Sequence, residues 1–252
     1  MKKIKLFILC IIVIALWAEP FTVMASPLAP SPAFGTSFDS SFIVDHAGWT
    51  PINGVWKLES ENYYAAVGTP LKVNRIRHNG LYKDMIYEAT MIRQGCTLCA
   101  NGLVIRASGS DPVGHWTTGY YFQYANNGHV IVFKAINGIP SVLKGWTYVK
   151  AVKRGGLNKL KVIASGVALR FYINNILVWS GFDISIPTGG QVGIAFYTPA
   201  NGSVAAKNVV DKLSIDWARL TFPGGGASTH TTDTVESGVP VSGGSIDMAP
   251  AP

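Results

Sequence analysis

Charge is scarce in this chain. Of its 252 residues, 14% are Asp, Glu, Lys or Arg, against 48% hydrophobic and 11% aromatic. That balance leaves ample material for one large core with appendages. No block of consecutive Lys or Arg is present, which argues against nucleic acid as a partner. No helical apolar periodicity stands out. Neither Gly-x-Ser-x-Gly nor His-Glu-x-x-His occurs, so the sequence offers no signature of an esterase elbow or a zinc protease. Apolar runs are short: the longest, Leu6 to Leu16, falls below the ~20 residues of a spanning helix. Cysteine is nearly absent, at three residues. Two of them, Cys96 and Cys99, form Cys-Thr-Leu-Cys, and a lone CxxC lacks the second pair that a structural zinc needs.

The order of the first residues supplies an address. Met1-Lys2-Lys3-Ile4-Lys5 is basic, Leu6 to Leu16 is apolar, and Val23-Met24-Ala25 offers small residues before Ser26. This predicts a secretory signal peptide over 1–25, hence an exported protein (periplasmic, secreted or at the cell surface) with no membrane span after cleavage. Residues 1–25 carry Lys2, Lys3, Lys5 and Glu19, a net +2, so the remainder falls from +7 to +5. Past Pro223 the only charges are Asp233, Glu236 and Asp247, so residues 26–223 hold +8. A basic exported domain can attract acidic polymers.

Residues 26–33 read as a Pro-rich spacer, 34–220 as the folded body, and 221–252 as a disordered Gly/Ser/Thr/Pro-rich tail. Within the body, short strands follow one another: 55–58, 85–92, 103–107, 120–124, 130–136, 159–164, 169–173, 176–179, 191–197 and 209–217. Asn-Gly steps at 53–54, 101–102, 127–128 and 137–138 read as turns, because both central positions tolerate positive φ. Leu160, Val162 and Ala164 share one strand face, as do Leu169, Phe171 and Ile173, and Val192, Ile194 and Phe196. The pattern predicts an all-β, two-sheet antiparallel jelly-roll sandwich, with a closed barrel as rival. The Cys96–Cys99 pair follows a strand and precedes Ala100-Asn101-Gly102. It reads as a short-loop disulfide clamping a hairpin, with free thiols or redox work as alternatives. Asn201-Gly202-Ser203 fits a glycosylation sequon and reads as a turn.

Three segments carry a family resemblance. They are Asn158-Lys159-Leu160-Lys161-Val162, the strand Leu169 to Ile173 ending in Asn174-Asn175, and Gly190-Gln191-Val192-Gly193-Ile194. With Phe38-Asp39 and Gly54-Val55-Trp56, these resemble the concanavalin A-like lectin/glucanase superfamily. The nearest resemblance is to its bacterial laminin-G-like and DUF1080 (3-keto-disaccharide hydrolase-like) branches. The resemblance spans 34–220 and implies the fold more than the activity.

Glucanases of that superfamily place carboxylates alternately on one strand, an acid/base and a nucleophile about 5–5.5 Å apart. Glu59 and Glu61 have the spacing but sit beside Asn62-Tyr63-Tyr64 at a strand end. Asp211 and Asp216, five apart, point to opposite faces. No catalytic residue is therefore assigned. Sugar sites pair aromatic rings with a few fixed polar groups, and 114–124 supplies both kinds. Tyr120, Phe122 and Tyr124 should face the core. Arg106, Tyr121 and Gln123 should line the concave face, with His115 and Trp116 on the adjoining loop and Trp146 and Tyr148 extending it. The resemblance also implies that "F-R" and "G-Y-x-x-Q" strands line the cleft, with Tyr121 standing where the DUF1080-like branch often has an acid. It further suggests a structural calcium joining the first and last strands through Asp39 and Asp211, and no other cofactor.

The sequence thus points to an exported, non-catalytic lectin-like domain whose partner is a polysaccharide or glycan. The alternatives are a DUF1080-like glycoside hydrolase and a structural or adhesive domain that binds a protein. The number of subunits is not legible from it.

Overall fold

The computed structural model describes residues 35–111, 115–199 and 210–223. The segments read above as signal peptide and Pro-rich spacer, the Asn201 sequon and the residues beyond Pro223 lie outside them.

The described residues fold as fifteen strands: β1 (Phe38–Ser40), β2 (Trp49–Asn53), β3 (Trp56–Leu58), β4 (Tyr64–Val67), β5 (Lys72–Tyr82), β6 (Met85–Gln94), β7 (Asn101–Ser108), β8 (Thr118–Tyr124), β9 (His129–Ile136), β10 (Ile139–Tyr148), β11 (Asn158–Ser165), β12 (Ala168–Ile173), β13 (Ile176–Phe182), β14 (Gly190–Thr198) and β15 (Lys212–Thr221). They pair antiparallel into two sheets. One runs β13-β12-β11-β6-β15-β4-β3, with β1 joined to β15; the other runs β10-β9-β8-β7-β14-β5-β2. This is the jelly-roll sandwich.

The period-two patterns meet between the sheets. Leu160, Val162 and Ala164, then Leu169, Phe171 and Ile173, then Val192, Ile194 and Phe196 all lie fully buried in one core with Tyr120, Phe122 and Tyr124. Each large apolar side chain removed from water contributes roughly 1.5–3 kcal/mol. Trp49 and Trp56 belong to the same core. Turn chemistry holds at β9–β10, where Asn137 and Gly138 take φ of 51° and 83°, and at β12–β13, where Asn174 and Asn175 take 48° and 69°.

Two Asn-Gly steps do other work. Asn53-Gly54 carries the chain from β2 in one sheet to β3 in the other, and Asn101-Gly102 opens β7 itself. The same applies to Cys96 and Cys99. They are disulfide-bonded, but β6 and β7 belong to different sheets, so the bridge clamps a crossover and not a hairpin. Asn126 holds that crossover by donating to the carbonyls of Arg93 and Cys96 at 2.7 and 3.1 Å.

Candidate functional site

The outer face of the seven-stranded sheet carries a second, smaller layer of packing. Val104, Ala107, Trp116, Tyr121, Ile131, Phe133, Ala135 and Ala195 cluster there, away from the main core. Strand register explains the grouping. Arg77 pairs with Gly193, Gly193 with Val104, Val104 with Tyr121, and Tyr121 with Phe133, all side by side on one face. The Tyr121 and Phe133 rings stack with centroids 4.7 Å apart and planes within 2°. Trp146 packs against the same layer. Tyr148 lies farther out, exposed, edge-on to His129.

Trp116 closes over this layer from its loop. Its six-membered ring covers Gly193, where a Cβ would collide with the indole. Its Nε1 donates to Gln191 Oε1 at 2.8 Å, which fixes the ring plane. Beside it opens a groove of about 550 Å³, lined by Pro51, Ile52, Arg77, Trp116 and Gln191 together with Leu81 and 107–110. His115 precedes Trp116 in the chain, its Nδ1 2.9 Å from Asp111 Oδ2. Burial and then the Arg75 charge hold the His115 pKa below its ordinary value, against the pull of Asp111.

Of the five residues expected to bind sugar, four gather on this face. Trp116, itself buried, lies over it beside the half-buried His115. Tyr121 and Gln123 form its floor, both buried, with Tyr121 Oη donating to the Trp116 carbonyl at 3.4 Å. Arg106 is the exception. It points inward and is completely buried. A bulge breaks the alternation: the β7–β8 register shifts between Ile105 and Ser108, and Arg106 takes a left-handed φ of 48°. Its guanidinium donates to the carbonyls of Lys83, Ile186 and Gly166 at 2.9, 3.1 and 2.6 Å. Arg106 is therefore a tie between three loops at one end of the sandwich, and it cannot touch a ligand on the outer face.

The calcium pair is likewise not brought together. Asp39 lies opposite Arg219 and accepts from Trp217 Nε1 at 2.7 Å. Asp211 lies just before the other end of β15, eight residues from Arg219, or about 25 Å along an extended strand. Both its oxygens are engaged by Arg93 and Thr198. One ion cannot bridge the two carboxylates, and among the described residues no group of three His, Cys, Asp or Glu side chains could hold a metal.

Sequence reasoning missed Arg75, Arg77 and Gln191. Their signal was present: Arg75 and Arg77 flank Ile76 at period two, which places both on the face opposite the core. Equally informative is what the sheet omits. None of its seven strands contains an Asp or a Glu, and the described carboxylate beside the groove, Asp111, is held by the ring and the backbone N–H of His115. Glu59, weighed above for its spacing to Glu61, lies at the edge of the other sheet and pairs with Lys212 at 3.0 Å.

No family model matches the chain, and no curated protein matches it by sequence. Solved structures do resemble it. The carbohydrate-binding module CBM66 from Bacillus subtilis is 22% identical with a TM-score of 0.51, over 67% of this chain and 92% of that one. The β-glucanase of Bacillus licheniformis is 14% identical with a TM-score of 0.59, over 75% and 99%. A galectin-like protein of unknown function from Bacillus subtilis is 11% identical with a TM-score of 0.51, over 75% and 97%. At these identities the likeness establishes the architecture: the chain has the jelly-roll fold that carbohydrate-binding modules and glucanases share.

Proposed function

We propose that this chain is a non-catalytic carbohydrate-binding domain of an exported protein, taking a saccharide in the groove beside Trp116. One observation carries the reading: the seven-stranded sheet offers a groove with an aromatic wall and fixed polar groups but no carboxylate on any strand. In most glycosidase families, retaining and inverting hydrolysis both use two carboxyl groups flanking the scissile bond. Asp111 alone, already paired with His115, does not make that pair. Binding needs less: an apolar ring surface, donors and acceptors at fixed positions, and a depression that excludes water. Trp116, Gln191 and Arg77 provide these. The fold likeness to a carbohydrate-binding module supports the reading, and the Cys96–Cys99 disulfide agrees with an oxidising compartment outside the cytoplasm.

The test is a binding screen of the full chain against neutral and acidic polysaccharides, run beside a sugar-release assay on the same panel. Saturable binding without release, lost in Trp116→Ala, is the expected result. Release of sugar would make the chain a hydrolase. Absence of binding to every polymer would leave the adhesive, protein-binding alternative.

A further inference from the structure

Every charged side chain buried in this fold can be asked who answers its charge. Arg93 is answered by Asp211, and Arg106 by three carbonyls with Asp84 at 3.6 Å. Arg75 is not answered in this way. It sits mid-strand in β5, between β14 and β2, and is 5% exposed. Among the described residues its hydrogen bond is a long one, Nη1 to Asn53 Oδ1 at 3.4 Å, and its Nε is buried with no partner. Burial pulls its pKa below the ordinary arginine value; Tyr121 and Asp111 act the other way. Arg77, two residues on and about 7 Å away on the same strand face, lines the groove, and its Nε is also buried without a partner.

The buried Arg75 guanidinium, with the half-buried Arg77 beside it on a sheet whose strands hold no carboxylate, is costly to keep. Removing a charge from water is repaid only by an opposite charge or a full set of hydrogen bonds. Arg93 and Arg219 also keep one unpaired nitrogen, but each touches a carboxylate, and among the described residues no ion pair is formed by Arg75 or Arg77. The guanidinium fork matches the two oxygens of a carboxylate, with N–H donors left to spare.

We infer that the saccharide bound in this groove is an acidic one, its carboxylate paired with Arg77 at the groove wall and held in the field of Arg75, buried two residues away on the same strand face. This rests on the carbohydrate-binding reading above and narrows it to a ligand class. Trp116 lines the groove beside the ring, and Arg77 takes the acid group.

The experiment uses the full chain and two polymers of one backbone: polygalacturonate and its methyl-esterified form, which has the same rings without the charge. The expected result is that the ester binds at least about tenfold more weakly, the value of one charge-assisted hydrogen bond. Arg77→Gln should lower affinity for polygalacturonate by a similar factor and leave affinity for the ester unchanged. Arg170→Gln removes the same charge from the exposed face of the other sheet and should change neither affinity. Arg75→Gln serves a separate readout. Without ligand it should melt no lower than the parent, because it removes a buried charge held by one long hydrogen bond and by no carboxylate in contact.

Equal binding of polymer and ester overturns the inference. So does an equal loss in Arg170→Gln, which would assign the effect to overall positive charge. If binding is charge-blind yet lost in Trp116→Ala, the acidic ligand fails while the carbohydrate reading stands. If Trp116→Ala changes nothing, both fail.

Discussion

Arg93 grips Asp211 through two parallel bonds, Nε to Oδ1 at 2.6 Å and Nη2 to Oδ2 at 2.7 Å. The arginine is wholly buried and its guanidinium also lies 4.3 Å above the Phe196 ring. The pair joins β6 to the residue that opens β15, and Thr198 adds a hydroxyl from β14 in the opposite sheet. Asp211→Ala should therefore cost about 3–5 kcal/mol, because it leaves a buried charge uncompensated. Urea unfolding measures it. Thr198→Val, which removes a neutral donor, should cost about 1 kcal/mol. A loss from Asp211→Ala no larger than that of Thr198→Val would refute the clamp.

Arg106 makes the complementary prediction at the other end of β14. Arg106→Met deprives three carbonyls of their donor and should destabilise the domain by roughly 2–5 kcal/mol. Affinity of the folded fraction for any saccharide should stay unchanged, since the side chain faces away from the groove. A variant with parental stability and lost binding would place Arg106 at the ligand after all.

His78 couples stability to pH. Its ring stacks on Phe38 at 3.7 Å between centroids, and its Nδ1 lies 2.9 Å from Tyr82 Oη. Burial holds its pKa below the ordinary 6.5, with a backbone hydrogen bond to Asn79 opposing weakly. The folded state thus prefers the neutral ring. The stability this gives is present above the unfolded pKa and is lost as pH falls below about 6.5 toward the folded value. Melting temperatures recorded from pH 7.5 down to 5 should decline in the parent, and decline less in His78→Gln. Parallel curves would remove His78 as the cause.

Gly193 is the seat of the Trp116 indole. A Cβ there would run into the ring and into the Ile76 carbonyl of the neighbouring strand. Gly193→Ala should cost about 1–3 kcal/mol and tilt Trp116 away from Gln191. Tryptophan fluorescence would register the tilt, and saccharide affinity should fall with it. An unchanged emission spectrum and unchanged affinity would show that the ring does not depend on that glycine.

The fold was legible where alternation is unbroken. β11, β12 and β14 keep their apolar residues at period two, and each lies in the core where that period places it. β5 was hidden because its outward positions are arginines and its inward ones include Asn74 and His78, so apolar alternation never forms. β10 was hidden by Pro140 and Gly145 and by two register shifts along an edge. The site was half legible. The loop residues His115 and Trp116 and the floor residues Tyr121 and Gln123 follow from aromatic and polar spacing on β8. Arg106 did not, because a single bulge turned it through the sheet. Arg75 and Arg77 escaped because a sequence reveals that a charge exists, not that its surroundings leave it without an opposite.

The missing carboxylates on the seven-stranded sheet also have an electrical consequence. Carboxylates lose their charge near pH 4, whereas arginine stays protonated well beyond pH 10. A strand face whose fixed charges are arginines keeps one potential from sour to alkaline surroundings. The grip on an acidic ligand is then set by the ligand's own ionisation and by the salt around it, while the strands themselves act as a positive electrode.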